Sequence, residues 1–92
     1  MLKAEFTGQF KKDYKKAVKR GCNPQKLMNI IQLLCEEKDL PPENRDHALV
    51  NSRNYKNMRE CHIEPDWLLV YQISQEVLIL KLIRTGTHSD LF

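Results

Sequence analysis

The strongest structural pattern in the chain is the run WLLVYQISQEVLILKLIR, residues 67–84. Its two halves, Trp67 to Ser74 and Val77 to Arg84, have the composition of β-strands, and the connection between them is short enough for a hairpin loop. Segments 69–71 and 78–80 are apolar at consecutive positions. Both strands are therefore predicted to be central in a sheet, with one face covered by helices.

Two more segments have strand character. Residues Tyr55 to Glu64 precede the run and reach it through Pro65-Asp66, which predicts an antiparallel meander of three strands. Residues Leu2 to Thr7 alternate between apolar and polar side chains. That alternation is the period of a strand with one buried face, so the chain is expected to begin with a strand.

Two helices are predicted between the first strand and the meander. Apolar residues recur at helical spacing from Phe10, and this pattern continues to about Arg20. Asn23-Pro24 then combines a capping residue with a proline suited to the first helical position, so a second helix begins at Pro24. The tight connection favours an antiparallel helix hairpin. Residues 38–46 contain paired prolines and are expected to form an extended surface loop.

This order predicts one two-layer α+β domain over residues 1–92, with the helix hairpin on one face of a mainly antiparallel sheet. Apolar residues make up 41% of the 92 residues and charged residues 29%, as in ordinary globular domains. A domain of this size has no room to enclose a deep ligand cavity. A functional site is therefore expected in a surface groove.

Charge and cysteine usage indicate the kind of partner and the cellular compartment. The net charge is +3, and lysines and arginines are concentrated in residues 11–20, which favours an acidic partner. Three cysteines without a CxxC spacing argue against a disulfide framework or a zinc knuckle and favour a reducing cytosol. No signal peptide or spanning segment is evident, so neither export nor membrane insertion is expected.

The residues that can carry chemistry lie outside the predicted helices. His47, His62 and His88 are each placed in a loop or near a strand end, and His62, Asp66, Arg84 and His88 are expected to be neighbours on the sheet face without helices. Two histidines can supply a base and an acid, and an arginine can neutralise phosphate charge. This set fits metal-free cleavage of RNA.

Simpler interpretations stand beside this one. A histidine in a small domain is more often a hydrogen-bonded surface residue than a catalytic one, and a single tryptophan is more often core. A row of lysines such as that on the first predicted helix is, in most proteins, only a solvated face. The histidine spacing disfavours a zinc site, and motifs for nucleotide or serine-hydrolase chemistry are absent. Composition and spacing alone indicate a small basic α+β domain, with RNA binding as an open alternative.

Three motifs add a family resemblance. They are DHAL (residues 46–49), YKNMRECHIEPDWLLVY (residues 55–71) and RTGTHSDLF (residues 84–92). Together they resemble the YafQ branch of the RelE/ParE toxin superfamily, and the element order is similar over essentially the whole chain. One departure is Asn51, where related toxins often have glycine; asparagine tolerates the same left-handed conformation.

The resemblance implies a RelE-like fold and the toxin of a bacterial type II toxin–antitoxin pair. Such a toxin is a ribosome-dependent endoribonuclease that cuts translated mRNA without a metal or other cofactor, and a cognate antitoxin protein inhibits it. The resemblance also implies that the toxin–antitoxin complex binds its own operator DNA through the antitoxin.

The functional set implied by the resemblance combines proton-transfer, charge-stabilising and packing or stacking residues. By this likeness His88 is the general acid, His62 or Asp66 the base, and Arg84 the group that stabilises phosphate charge. The lysines of the first helix are expected to add affinity for the ribosome. The implied catalytic residues are His47, His62, Asp66, Arg84 and His88, and the implied RNA-binding residues are Trp67, Phe92, Lys12, Lys15 and Lys16.

Two functions of other classes remain open from the sequence. A ParE-like toxin shares the fold and inhibits DNA gyrase by binding, but it has no need of His62 and His88. A catalytically weak module that binds RNA or antitoxin keeps every motif, because a misplaced histidine lowers only the rate.

Overall fold

The computed structural model describes residues 1–50 and 55–92; Asn51 lies outside the described residues. These described residues form five strands and three helices, with a 3₁₀ turn at Pro42–Asn44. In chain order they are β1 (Lys3–Phe6), α1 (Gly8–Lys19), α2 (Pro24–Cys35), β2 (His47–Ala48), β3 (Arg59–Glu64), β4 (Trp67–Ser74), β5 (Ile79–Gly86) and α3 (His88–Leu91).

One sheet contains all five strands in the order β1-β5-β4-β3-β2. The pairs β3–β4 and β4–β5 are antiparallel, which confirms the predicted meander. β1 joins β5 in the parallel direction, with Phe6 opposite Leu82. β1 therefore covers only the first half of β5 and leaves the end of that strand, from Ile83 onward, to other elements.

α1 and α2 each begin after a capping residue, and the predicted start of α2 at Pro24 is confirmed. The Thr7 hydroxyl accepts a hydrogen bond from the Phe10 amide, and the Asn23 side chain accepts one from the Gln25 amide, with Pro24 at the first helical position. These side chains satisfy amides that the helix itself leaves without partners. Gly21 has a φ of 92°, a left-handed conformation that suits glycine after the end of α1.

The main core lies between α1 and α2 and one face of the sheet, which we call the helix face. It joins Phe10 and Ala17 of α1 and five buried residues of α2 to sheet side chains that include Cys61, Leu69, Tyr71, Leu80 and Leu82. We call the opposite face the site face. A smaller cluster of Tyr55, Leu68, Val70 and Leu91 packs there. The arrangement confirms the predicted two-layer α+β fold.

Three sequence predictions of strand boundaries are wrong by two residues or more, and β1 is one residue shorter at each end than the predicted Leu2 to Thr7. β3 begins at Arg59 rather than Tyr55, because the chain turns through Asn57, whose φ is 59°. β5 begins at Ile79 rather than Val77, because the hairpin ends at Leu78, whose φ is 55°. β5 also continues to Gly86, two residues beyond the predicted end, since Thr85 and Gly86 still pair with β4.

The predicted surface loop and the C-terminal tail are more ordered than expected. Within the loop, Pro42–Asn44 form a 3₁₀ turn, and the buried Asn44 side chain donates a 2.7 Å hydrogen bond to the His62 carbonyl. The tail forms α3, so His88 begins a helix and the prediction that all three histidines lie outside helices is wrong. In the part of the chain that the structure describes, no helix is long and apolar enough to cross a membrane.

Candidate active site

A row of paired residues crosses the site face. His47 lies opposite Glu60, Glu60 opposite Val70, and Val70 opposite Arg84. Directly paired residues of antiparallel strands project from the same face of a sheet. The register therefore places two predicted site residues, His47 and Arg84, on the same face although 37 positions separate them in the chain.

A second row runs beside the first. His62 lies opposite Leu68, which lies opposite Gly86. His62 is two residues from Glu60 on β3, so both side chains are on the site face. The register thus places His62 and Arg84 on the sheet face opposite the helices, where they were expected, and places His47 there as well.

Glu60 joins the two histidines. Its Oε1 lies 3.7 Å from Nε2 of His47 and 3.5 Å from Nε2 of His62, and its side chain is only 5% exposed. The other ring nitrogen of each histidine is close to a backbone carbonyl: Nδ1 of His47 lies 2.6 Å from that of Arg45, and Nδ1 of His62 lies 3.2 Å from that of Pro65. A carbonyl only accepts hydrogen bonds, so Nδ1 carries the proton and Nε2 faces the carboxylate.

His88 reaches the site on α3, a helix of a single turn. The Thr87 hydroxyl accepts a hydrogen bond from the Asp90 amide, and the Asp90 carboxylate accepts one from the Thr87 amide. This reciprocal cap satisfies two amides at the start of the helix. The His88 amide donates a 3.1 Å hydrogen bond to Oδ1 of Asp66. Two further predicted site residues, His88 and Asp66, are therefore in contact.

An ion pair attaches α3 to α1. Asp90 accepts hydrogen bonds from Nη1 and Nη2 of Arg20 at 2.6 and 3.4 Å, and Nζ of Lys16 lies 3.6 Å away. The hydrogen bonds from Arg20, followed by those from Thr87, hold the pKa of Asp90 well below its ordinary value. The charge of Asp90 thus serves the attachment of the segment that carries His88.

Gly86 permits this close approach. A Cβ atom at Gly86 would lie 2.9 Å from Oδ2 and 3.1 Å from Cβ of Asp90. Asp90 is held in place by Thr87 and Arg20, so it has little freedom to move away. The glycine of the RTGTH motif is therefore a packing requirement for α3.

The aromatic end of the chain lies beside His88. The Phe92 ring centroid is 5.1 Å from that of His88 and 5.4 Å from that of Tyr55, the latter in a T-shaped arrangement. Phe92 is 51% exposed. Tyr55 is buried, and its hydroxyl donates a 3.1 Å hydrogen bond to the Leu91 carbonyl. Phe92 thus offers an open aromatic face, and Tyr55 supports it from below.

Arg84 is held by Asp13 of α1. Its Nε and Nη2 donate to the two carboxylate oxygens of Asp13 at 2.6 and 3.2 Å. These hydrogen bonds raise the pKa of Arg84 above its ordinary value. Arg84 and Asp66 line the same small cavity, of about 100 Å³, between α1, the end of β5 and α3.

The predicted RNA-binding residues fall into two groups. Lys12, Lys15 and Lys16 are exposed on α1, and Phe92 is exposed at the C-terminus. Trp67 is only 4% exposed, and its indole N–H donates a 2.9 Å hydrogen bond to the Thr85 hydroxyl. Its ring has no open face for a base, so the geometry favours packing of the site over stacking on RNA.

Sequence reasoning missed two residues of the site, Glu60 and Asp13. Glu60 could have been found from the period of two that it shares with His62 on β3. Asp13 could have been found as an acid on the apolar stripe of α1, between Phe10 and Ala17. Neither pattern identifies the long-range partners, because His47 lies on β2 and Arg84 on β5, far from Glu60 and Asp13 in the chain.

The family profile of YafQ, described as a bacterial toxin of a type II toxin–antitoxin system, matches residues 2–92. The mRNA interferase toxin YafQ of Escherichia coli strain B/BL21-DE3 is 42% identical over 89 residues, which are 96% of this chain and 92% of that protein.

Solved structures agree over the whole fold. A metal-bound toxin from Helicobacter pylori superposes with a TM-score of 0.93 at 42% identity over the full length of both chains. YafQ in the E. coli DinJ–YafQ complex superposes with a TM-score of 0.88 at 40% identity, covering 100% of this chain and 99% of that one. Within residues 1–50 and 55–92 of this chain, no three histidine, cysteine or acidic side chains are arranged to hold a metal ion. The chain belongs to the YafQ family of bacterial type II toxin–antitoxin toxins.

Proposed function

We propose that this toxin is a ribosome-dependent endoribonuclease that cuts translated mRNA in the cytosol. The observation that carries the proposal is the pair of adjacent rows on the site face, which bring His47, Glu60 and His62 onto the same face as Arg84. Relatives named mRNA interferase toxins are 40–42% identical over nearly the full chain. A guanidinium on the same sheet face as two imidazole groups provides the kinds of group that phosphoryl transfer needs.

The reaction uses the ribose of the RNA as its nucleophile. His62 or Asp66 removes the proton from a 2′-hydroxyl, and the 2′-oxygen attacks the adjacent phosphorus. The bond from phosphorus to the 5′-oxygen breaks, and His88 gives a proton to that oxygen. The products are a 2′,3′-cyclic phosphate and a 5′-hydroxyl end. Arg84 stabilises the additional negative charge of the phosphorane.

Binding of the RNA uses charge and stacking. Lys12, Lys15 and Lys16 supply exposed positive charge near the site, which favours the phosphate backbone. Phe92 offers its exposed ring to a base beside His88, and such stacking is worth about 1–3 kcal/mol per base in other proteins. Trp67 contributes by holding the end of β5 in place through Thr85.

A cognate antitoxin inhibits the toxin in this proposal. The YafQ of E. coli forms a complex with DinJ. An acidic or amphipathic antitoxin segment would compete with RNA for the basic surface of α1 or displace the segment that carries His88 and Phe92. An antitoxin bound elsewhere, with the site face left open, would contradict this mode of inhibition.

The test compares the wild-type toxin with His88→Ala by primer extension on a translated message, followed by analysis of the RNA ends. Ser89→Ala is the matched control, since Ser89 is an exposed neighbour on α3. We expect ribosome-dependent cuts with 5′-hydroxyl ends from the wild type and from Ser89→Ala. His88→Ala should bind antitoxin normally but cut at least about a hundredfold more slowly, because it lacks the proposed acid.

Two results would contradict the proposal. Cleavage by His88→Ala at the wild-type rate would remove His88 from the mechanism. Growth arrest by the wild type without any mRNA cuts would instead indicate a binding toxin of the gyrase-inhibiting kind.

A further inference from the structure

A buried carboxylate is unexpected on the most basic helix of the protein. Asp13 lies on α1 among exposed lysines, yet its side chain is only 8% exposed. It shares the inward stripe of the helix with Phe10 and Ala17. A buried charge is unfavourable unless it is paired and hydrogen-bonded, so its partners explain its presence.

Asp13 accepts four hydrogen bonds. Oδ2 accepts from Nε of Arg84 at 2.6 Å and from the Thr85 amide at 3.2 Å. Oδ1 accepts from Nη2 of Arg84 at 3.2 Å and from Nε2 of Gln9 at 3.1 Å. A carboxylate has about four lone-pair positions, so that of Asp13 is fully used and fixed in orientation.

The location of Asp13 follows from the sheet topology. β1 pairs with β5 only as far as Leu82, and the Thr7 hydroxyl donates to the Leu82 and Ile83 carbonyls, where the chain turns into α1. α1 then lies along the end of β5 that β1 leaves uncovered. The hydrogen bond from the Thr85 amide shows that Asp13 sits at this edge, within reach of a side chain from the site face.

This contact determines how Arg84 is presented. A guanidinium has five N–H donors in one plane, and the two-point contact with Asp13 uses two of them. The plane is thereby fixed, and three donors lie outside this pair. The Arg84 side chain is 25% exposed, so it is accessible from solvent while it is held by Asp13.

We infer that Asp13 is a positioning residue for cleavage, which holds the guanidinium of Arg84 in the orientation that receives the phosphate of the RNA. This inference rests on the proposed role of Arg84 in charge stabilisation. A donor fixed in advance stabilises a transition state without reorganisation, and a displacement of about 1 Å can cost about a hundredfold in rate. The competing explanation is that the ion pair only attaches α1 to β5.

The test measures single-turnover cleavage of mRNA on programmed ribosomes by Asp13→Asn, with the toxin concentration varied. We expect the rate at saturation to fall by about tenfold to a hundredfold while the half-saturating concentration is unchanged. The control is Glu5→Gln, which makes the same change from carboxylate to amide. Glu5 lies 3.7 Å from Lys81 at the other end of β5, and this variant should cut at the wild-type rate.

A double-mutant cycle with Arg84→Ala separates positioning from structure. If Asp13 acts through Arg84, then Asp13→Asn lowers the rate in the wild type but not in the Arg84→Ala background. An equal loss in both backgrounds, or an undiminished rate for Asp13→Asn, would overturn the inference. So would a wild-type rate for Arg84→Ala itself.

Further controls separate a loss of cleavage from a loss of folding and from a failure of the proposed function. Melting temperature and antitoxin affinity are measured for each variant, because Asp13 is buried. If Asp13→Asn does not fold, Arg84→Lys takes its place: it keeps the charge but cannot pair at two points, and it should lose rate to a similar extent. A normal rate for Arg84→Lys would overturn the inference. Failure of the proposed function looks different, since the wild type itself would then make no cuts.

Discussion

The two faces of the sheet are formed by the same strands but carry different side chains. On β4, Leu69 and Tyr71 project into the core under the helices, whereas Leu68 and Val70 project from the opposite face. The helix face is closed by α1 and α2. The site face has a small apolar cluster beneath α3 and, beside it, the polar rows that contain the histidines and Arg84. The main core and the candidate site are therefore on opposite faces of one sheet.

This separation depends on register. Because side chains alternate along a strand, a slip of one residue would move every side chain to the other face. It would place Glu60 in the apolar core and Leu69 on the site face. The large apolar core thus fixes the alignment of the candidate site residues, although few of them contact it.

The largest effect on stability is expected on the helix face. Leu82 is fully buried, so Leu82→Ala should lower the free energy of unfolding by about 2–5 kcal/mol. Leu78→Ala deletes the same atoms at a side chain that is 49% exposed, and it should change that free energy by no more than about 0.5 kcal/mol. Urea unfolding of both variants measures the difference. Equal losses would mean that the core does not lie where the faces place it.

On the site face, activity should change while stability does not. The His47 side chain is 51% exposed, so His47→Ala should change the free energy of unfolding by no more than about 0.5 kcal/mol. The cleavage rate should fall by about a hundredfold if His47 takes part in proton transfer. The control is Glu43→Gln in the 3₁₀ turn before β2, which should leave both quantities unchanged. A normal cleavage rate for His47→Ala would make His47 a hydrogen-bonded surface residue.

The smallest effect is expected at the ionic link between the two regions, Asp90 on α3 and Arg20 on α1. Asp90→Asn keeps an oxygen for the helix cap but removes the charge, so its Tm should be slightly lower than that of the wild type at pH 7. Since the folded state lowers the pKa of Asp90, this contribution is present above the ordinary carboxyl pKa of about 3.9. It is lost as the pH falls below that value.

Melting curves from pH 7 down to pH 3 measure this link. The difference in Tm between the wild type and Asp90→Asn should shrink as the medium becomes more acidic than about pH 4. In Arg20→Gln the substitution at Asp90 should have less effect, since the two residues act as a pair. A difference in Tm that is independent of pH would show that the charge of Asp90 does not hold α3.

Most of the fold could be predicted from local patterns. The bounds of β4 and the start of α2 are confirmed to the residue, because a long apolar run and the pair Asn23-Pro24 are strong local signals. The boundary errors at Tyr55 and Val77 arise where a non-glycine residue adopts a left-handed turn, at Asn57 and Leu78. Asparagine tolerates this conformation and could have indicated the turn at Asn57, whereas a leucine gives no such indication at Leu78.

The sequence indicated candidate site residues but not the side chains that contact them. The motifs indicate His47, His62, Asp66, Arg84 and His88, but not the carboxylates that hold them. Asp13 and Arg84 are 71 positions apart, and their contact exists only because β1 stops at Phe6 and lets α1 reach the edge of β5. Long-range pairing of this kind depends on the topology of the fold, which local periodicity does not indicate.

From its sequence alone this protein can be assigned its two long helices, four of its strands, its family and the residue types of its candidate site, since hydrophobic period, capping and motif are local properties of the chain. The tertiary structure determined which of these residues lie close together. It aligned the row from His47 to Arg84 across four strands, buried Trp67, and folded the last residues into α3 against Arg20. Strand register and the packing of distant segments set those contacts, because each joins residues that no local pattern relates.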